Sequence, residues 1–165
     1  MEDKTQQLQD LIRIDPEVWF STFAVIKDKR GKDIKPKPNT LQKRMFAHYR
    51  KCQIEGKPCK MIILKHRQKG ASTCAHALTY HHMRKHESLT GSLMGDISGT
   101  SDKVFEIYRR YAENDLFPWD SDGQNVEDGG SLVDLIKLRS RSHYGKETAG
   151  SKNAGRSGTI QVGNM

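Results

Sequence analysis

Apolar positions in the first third of the chain recur at helical spacing. Leu8, Leu11, Ile12 and Ile14 predict a short amphipathic helix over residues 4–14. Asp15-Pro16-Glu17 then supplies a capping side chain, a proline for the first turn and an acid near the positive helix end. Val18, Trp19, Phe20 and Phe23 follow it. The stretch FAVIKDKRGKDIK predicts a hairpin turning at Lys29-Arg30-Gly31. Pro36 and Pro38 break the chain, and Asn39 or Thr40 caps a helix through Leu41, Met45, Phe46 and Tyr49.

After Lys60 the pattern changes. MIILK, Met61 to Lys65, is a short apolar run of the kind that forms a buried parallel strand. A loop of small residues follows, then a helix, ASTCAHALTYHHMRKH. SLMGDIS predicts a second strand ending at Asp96, and SDKVFEIYRRYAENDLF a second helix. Strand–loop–helix twice over is the grammar of an α/β domain. Residues 118–131 are polar and glycine-rich and predict a mobile loop. LVDLIKL and the segment around SRSHYGK predict two further strands. Thr148 to Gly158 forms a second loop of small residues, and GTIQVGNM begins another strand.

Composition adds a partner class. At 165 residues the chain suits one compact domain, and its mean hydropathy of −0.77 leaves room for solvated stretches. A formal charge of +8 points to polyanions, or to a merely soluble basic protein. Between Lys27 and Lys51 ten Lys/Arg face only Asp28 and Asp33. Phosphate contact by such a stretch is sequence-blind and salt-sensitive, and a solvated hairpin is the alternative. Cys52, Cys59 and Cys74 are odd in number and lack paired spacing, which argues against a disulfide framework. Cys52 and Cys59 with His48 have no C-x-x-C and no fourth ligand, so a zinc site is not expected. The start, MEDKTQQLQD, has no signal-peptide character, no apolar run approaches membrane-spanning length, and a reducing cytoplasm is expected.

The stretch LKHRQKGASTCA, Leu64 to Ala75, carries the strongest chemistry. A strand feeding a glycine loop that opens a helix is the setting of a phosphate-binding loop, whose backbone N–H groups and helix dipole hold the oxygens. Gly70, Ala71 and the following amides would cradle phosphates, and Ser72 or Thr73 would reach the bridging Mg²⁺. The common pattern G-x-x-x-x-G-K-S/T places lysine after the second glycine, where this chain has Ala71. Lys65 and Lys69 are near enough to substitute, and Arg67 adds a third positive charge. The alternative is a tight strand-to-helix turn with a basic rim.

R-Q-x-G-x-S-T, in Arg67 to Thr73, resembles the deviant Walker A of the large terminase subunits, the ATP-driven motors that package DNA into tailed-phage heads. Some members of that family carry the lysine at the front of the loop, a placement matched by Lys65. PNTLQKRMF, Pro38 to Phe46, is similar to the family's N-x-x-Q segment, in which Gln42 would read the adenine edge. ETAGSKNAGRSGT, Glu147 to Thr159, resembles the segment ahead of the Walker B strand. There Arg156, or Arg67 in cis, would stabilise charge on the transferring phosphoryl group as a catalytic arginine. The resemblance covers roughly residues 20–165.

It implies an α/β fold: a three-layer αβα P-loop NTPase-like domain with a mostly parallel sheet. N-terminal helices and a basic hairpin over residues 1–38 would precede an ATPase core over 39–165. ATP, Gln68 and Lys69 beside Lys65, and Mg²⁺ complete the implied site. The implied partners are double-stranded DNA, a small terminase subunit, the portal protein and copies of the chain in a ring, in the host-cell cytoplasm. No apolar strand ending in Asp-Glu occurs, and Asp96 is followed by Ile97, so Asp96 is expected beside the site rather than as its acid. The expectation is an N-terminal portion ending before Walker B and the nuclease domain, and incomplete in catalysis by itself. The alternatives are a helicase-type translocase or a non-enzymatic basic nucleic-acid-binding module. His76, His81, His82 and His86 crowd one helix without an accompanying acid, and a solvated helix face is expected rather than a metal site.

Overall fold

The computed structural model describes residues 2–64, 69–95, 98–119 and 125–148. Two helices open the chain, α1 (Glu2–Ile14) and α2 (Pro16–Thr22). Asp15 caps α2 by accepting the Glu17 N–H at 2.9 Å, with Pro16 inside the first turn. The expected hairpin forms as β1 (Ile26–Lys27) against β2 (Asp33–Ile34). Asp28 Oδ1 closes its turn by accepting the N–H groups of Arg30 and Lys32 at 2.8 and 2.9 Å.

Helix α3 (Thr40–Ile54) begins in a capping box: Asn39 accepts the Gln42 N–H while Gln42 accepts the Asn39 N–H, each at 3.0 Å. Arg50 on this helix bonds Asp15 and Glu17 at 2.8 and 3.0 Å, joining α3 to the start of α2. Helix α4 (Ala71–Lys85) is enclosed, with every residue from His76 to His81 buried. A helix covered on so many sides belongs at the centre of a core. It packs against α2, α3 and α5 (Ser98–Asn114).

The sheet comprises β3 (Thr90–Gly95), β4 (Val126–Ser131), β5 (Leu135–Leu138) and β6 (His143–Thr148), in the order β3-β6-β5-β4. Strands β3 and β6 run parallel, with Thr90 opposite His143 and Gly95 opposite Thr148. The pairs β5–β6 and β4–β5 are antiparallel. Helix α5 covers this sheet through Phe105 and Tyr108, whose rings stack on Tyr144 of β6 at 6.0 and 4.1 Å. One core runs from Ile12, Trp19 and Phe20 through Phe46 and α4 to Ile136 and Tyr144.

The α/β class holds, as five helices and a mixed four-stranded sheet among the described residues. Three expectations change. The sheet is not mostly parallel among those residues, because short connections turn β4, β5 and β6 into an antiparallel meander. Residues 126–131, expected within a mobile loop, form β4 because β5 offers them a ladder. The MIILK run is no buried strand over its described part. Residues 60–64 carry no sheet pairing among the described residues; Met61 and Ile63 pack on the core, while Ile62 and Leu64 are 97% and 94% exposed.

Candidate functional site

Gly70 is the residue from which α4 departs. Its backbone is left-handed, with φ +69°, and it stands at the N-cap, with no side-chain cap for the helix among the described residues. The first turn of a helix has N–H groups with no intrahelical acceptor. Here Ala71, Ser72 and Thr73 supply that turn, with Ala71 buried and the other two half-buried. The first helical bond runs from the Cys74 N–H to the Gly70 carbonyl, at 3.0 Å.

Two amides from α3 hold this corner in place. Asn39 Nδ2 donates to the Lys69 carbonyl at 3.1 Å, and Gln42 Nε2 donates to the Gly70 carbonyl at 3.0 Å. Gln42 is only 6% exposed, and both ends of its amide are bonded within the chain. A Cβ at position 70 would lie 2.7 Å from Gln42 Nε2, so glycine is required by contact as well as by conformation. Of the two, only Gln42 was singled out from sequence; Asn39 was legible as a helix cap but not as a hold on the loop.

Beside the first turn of α4 lies a cleft of about 230 Å³, lined by Ile26, Lys27, Thr73, Lys103, Glu106 and Arg110 among others. Tyr111 Oη donates to the Thr73 carbonyl at 3.1 Å and fixes the cleft wall. Arg110 pairs with Asp33 of the hairpin at 3.2 Å. Lys103 and Arg110 escaped the sequence reading because they come from α5, thirty or more residues from the loop motif. Lys27 was visible only as part of a basic run.

Gly70, Ala71, Ser72, Thr73 and Gln42 are thus drawn together, with exposed Lys69 on the approach. Lys65, Arg67, Gln68, Asp96 and Arg156 lie outside the described residues.

The histidines of α4 do not form a solvated face. His76 and His81 are buried, and burial lowers each ring to a pKa of about 4. The ring of His81 bonds the Ile12 carbonyl through Nε2 at 2.9 Å, while its buried Nδ1 has no hydrogen-bond partner among the described residues. This pattern fits the neutral tautomer protonated at Nε2. His82 Nδ1 lies 2.7 Å from Tyr49 Oη; burial first, then His86 and Lys85, lower it to about 4. Only His86 of the four is exposed. The pattern of α4 misled because histidines count as polar, yet these rings fill core space between aromatic neighbours.

Two of the three free cysteines lie together. His48 and Cys52 on α3 and Cys59 beyond it place one ligand atom each within 4.8 Å of one another. Cys52 Sγ is 3.6 Å from His48 Nε2. The sequence offered this trio without showing that it would meet: α3 ends at Ile54, and beyond its cap Glu55 the backbone of Gly56 is left-handed, at φ +63°. Burial, then the hydrogen bond with Cys52, pushes the Cys59 thiol up to about 12. Cys74 is buried apart from that group, in the core beneath the loop.

These features define a mixed α/β protein in which a buried helix starts at a clamped glycine. No helix among the described residues is long and apolar enough to cross a membrane. No protein-family model matches the chain, and no curated protein matches it either.

Proposed function

We propose that this chain is the ATP-binding and hydrolysing part of a DNA-packaging motor of the large terminase kind, with a P-loop NTPase-like core. One observation carries the reading: Asn39 and Gln42 hold the Lys69 and Gly70 carbonyls, while the first-turn amides of α4 have no side-chain cap among the described residues. The N-x-x-Q segment and the glycine loop, about thirty residues apart in sequence, therefore act on one corner. Uncapped amides at a helix N-terminus favour phosphate oxygens.

In this reading Ala71 and its neighbours bind β- and γ-phosphate oxygens, and Ser72 or Thr73 holds Mg²⁺. Lys65 neutralises the phosphates, with Gln68 and Lys69 beside it, and Arg67 or Arg156 stabilises charge in the transition state. Beyond its bonds to described residues Gln42 has one further N–H and one further lone pair, which is what an adenine edge would use. Hydrolysis drives double-stranded DNA, with a small terminase subunit, the portal protein and further copies of the chain as partners in the host cytoplasm.

A second reading, a basic nucleic-acid-binding module without an ATPase cycle, has its own support. Lys27, Lys103 and Arg110 line the cleft, and among the described residues 60–64 have no ladder of the kind that usually precedes a phosphate loop. Titration with Mg-ATP, followed by calorimetry, separates the two. Wild type should bind, and Lys65→Ala should bind about tenfold more weakly or worse, through loss of a charge-assisted contact. Absent binding, or equal binding by both proteins, removes the phosphate role of Lys65. Absence together with salt-sensitive DNA binding selects the second reading.

A further inference from the structure

We propose that His48, Cys52 and Cys59 form a binding site for a single thiophilic divalent ion, zinc in a cell, that pins the segment leading into the Gly70 corner onto α3. His48 and Cys52 are four residues apart on one helix, so their side chains share a face. Cys59 joins them after the turn at Gly56, and all three ligand atoms lie within 4.8 Å of one another.

The separation between Cys52 and His48 suits a tetrahedral centre. Bond lengths of about 2.3 Å to sulfur and about 2.0 Å to nitrogen put neighbouring S and N ligand atoms about 3.5 Å apart at the tetrahedral angle. The observed Cys52 Sγ to His48 Nε2 distance is 3.6 Å. Two thiols and an imidazole select zinc over magnesium or calcium, which prefer oxygen. Each thiol gives its proton to solvent as its sulfur binds the ion. Three protein ligands leave a fourth position, and the exposure of His48 lets water occupy it.

The consequence is mechanical. Residues 60–64 have no sheet ladder among the described residues, and in sequence they lie between Cys59 and the Gly70 corner. At the N-terminal end of α3, Asn39 and Gln42 hold Lys69 and Gly70. An ion at Cys59 fastens the other end, so one helix grips the segment at both extremities. A Cys52–Cys59 disulfide is the competing use of the same sulfurs, but it leaves His48 without a role.

The test is Co²⁺ titration of the reduced protein, followed by absorption spectroscopy and displacement by Zn²⁺. A thiolate-to-cobalt charge-transfer band with tetrahedral d–d absorption should saturate at one ion per chain. Cys52→Ser and Cys59→Ser should each reduce the band, and His48→Ala, at an exposed position, should weaken binding by about tenfold or more. Cys74→Ser should bind as wild type does. Zn²⁺ should raise the melting temperature of wild type but not of Cys59→Ser, with circular dichroism confirming that each variant is folded. No charge-transfer band, an undiminished band in Cys59→Ser, or a Cys52–Cys59 disulfide forming in excess Zn²⁺ overturns the proposal.

Discussion

The corner at Gly70 rests on two side chains, and both can be probed singly. Gly70→Ala places a Cβ in left-handed backbone and 2.7 Å from Gln42 Nε2. The backbone term and the displaced hydrogen bond together should cost about 2 kcal/mol, seen as a lower urea midpoint at unchanged slope. Gln42→Ala should cost about 1–2 kcal/mol, because it removes half of a capping box and the bond to Gly70. A change within about 0.3 kcal/mol for Gln42→Ala would show that the clamp is incidental. At this scale the sequence showed which residues had chemistry, Asn39 as a cap and Gly70 as a loop glycine. It did not show that the two would meet, since a cap is a local property and a contact across thirty residues is not.

At the scale of elements, α4 is the most consequential. His76 and His81 sit in its core-facing surface with pKa values lowered by burial to about 4, against an ordinary 6.5. Folding favours their neutral forms, so their contribution is present above pH 6.5 and is lost as pH falls towards about 4. Each fully buried ring should then account for a loss on the order of 3 kcal/mol. Melting temperatures measured from pH 7 downward should fall through this window. His81→Gln, which keeps a donor for the Ile12 carbonyl, should flatten the fall. An equally steep profile in His81→Gln would remove that histidine from the account. Helices α2 and α3 and the hairpin were legible because caps, prolines and Asx turns act within a few residues. The MIILK run was not, since an apolar run states a wish for burial but not whether a neighbouring strand will offer a ladder.

The whole molecule is tied together at Asp115. Its Oδ2 accepts from Trp19 Nε1, Tyr80 Oη and Trp119 Nε1 at 3.0, 2.9 and 2.7 Å, and Oδ1 accepts the Phe117 N–H at 3.0 Å. One carboxylate thereby joins α2, α4 and the turn after α5. Burial pushes its carboxyl above the usual carboxylate range, and the four donors pull it back. Asp115→Ala strands these donors and should lower stability by more than about 3 kcal/mol. Asp115→Asn should cost less, keeping an acceptor oxygen while setting an amide N–H against one of the donors. Chemical unfolding followed by fluorescence checks this directly, because the two tryptophans of the chain both donate to Asp115. A loss under about 1 kcal/mol in Asp115→Ala would deny the residue that role.

Asp115 also marks the boundary between two kinds of information. By itself the sequence determined the helix starts, the hairpin turn, the basic charge and the small-residue opening of α4, because each follows from interactions between near neighbours. Tertiary structure alone decided that Asp115 would gather two indoles and a phenol, and that β4 to β6 would run antiparallel. It also decided that histidines would enter the core and that Cys59 would return to His48 and Cys52. These outcomes depend on which distant surfaces exclude water together, and burial is a property of the packed chain rather than of any segment within it.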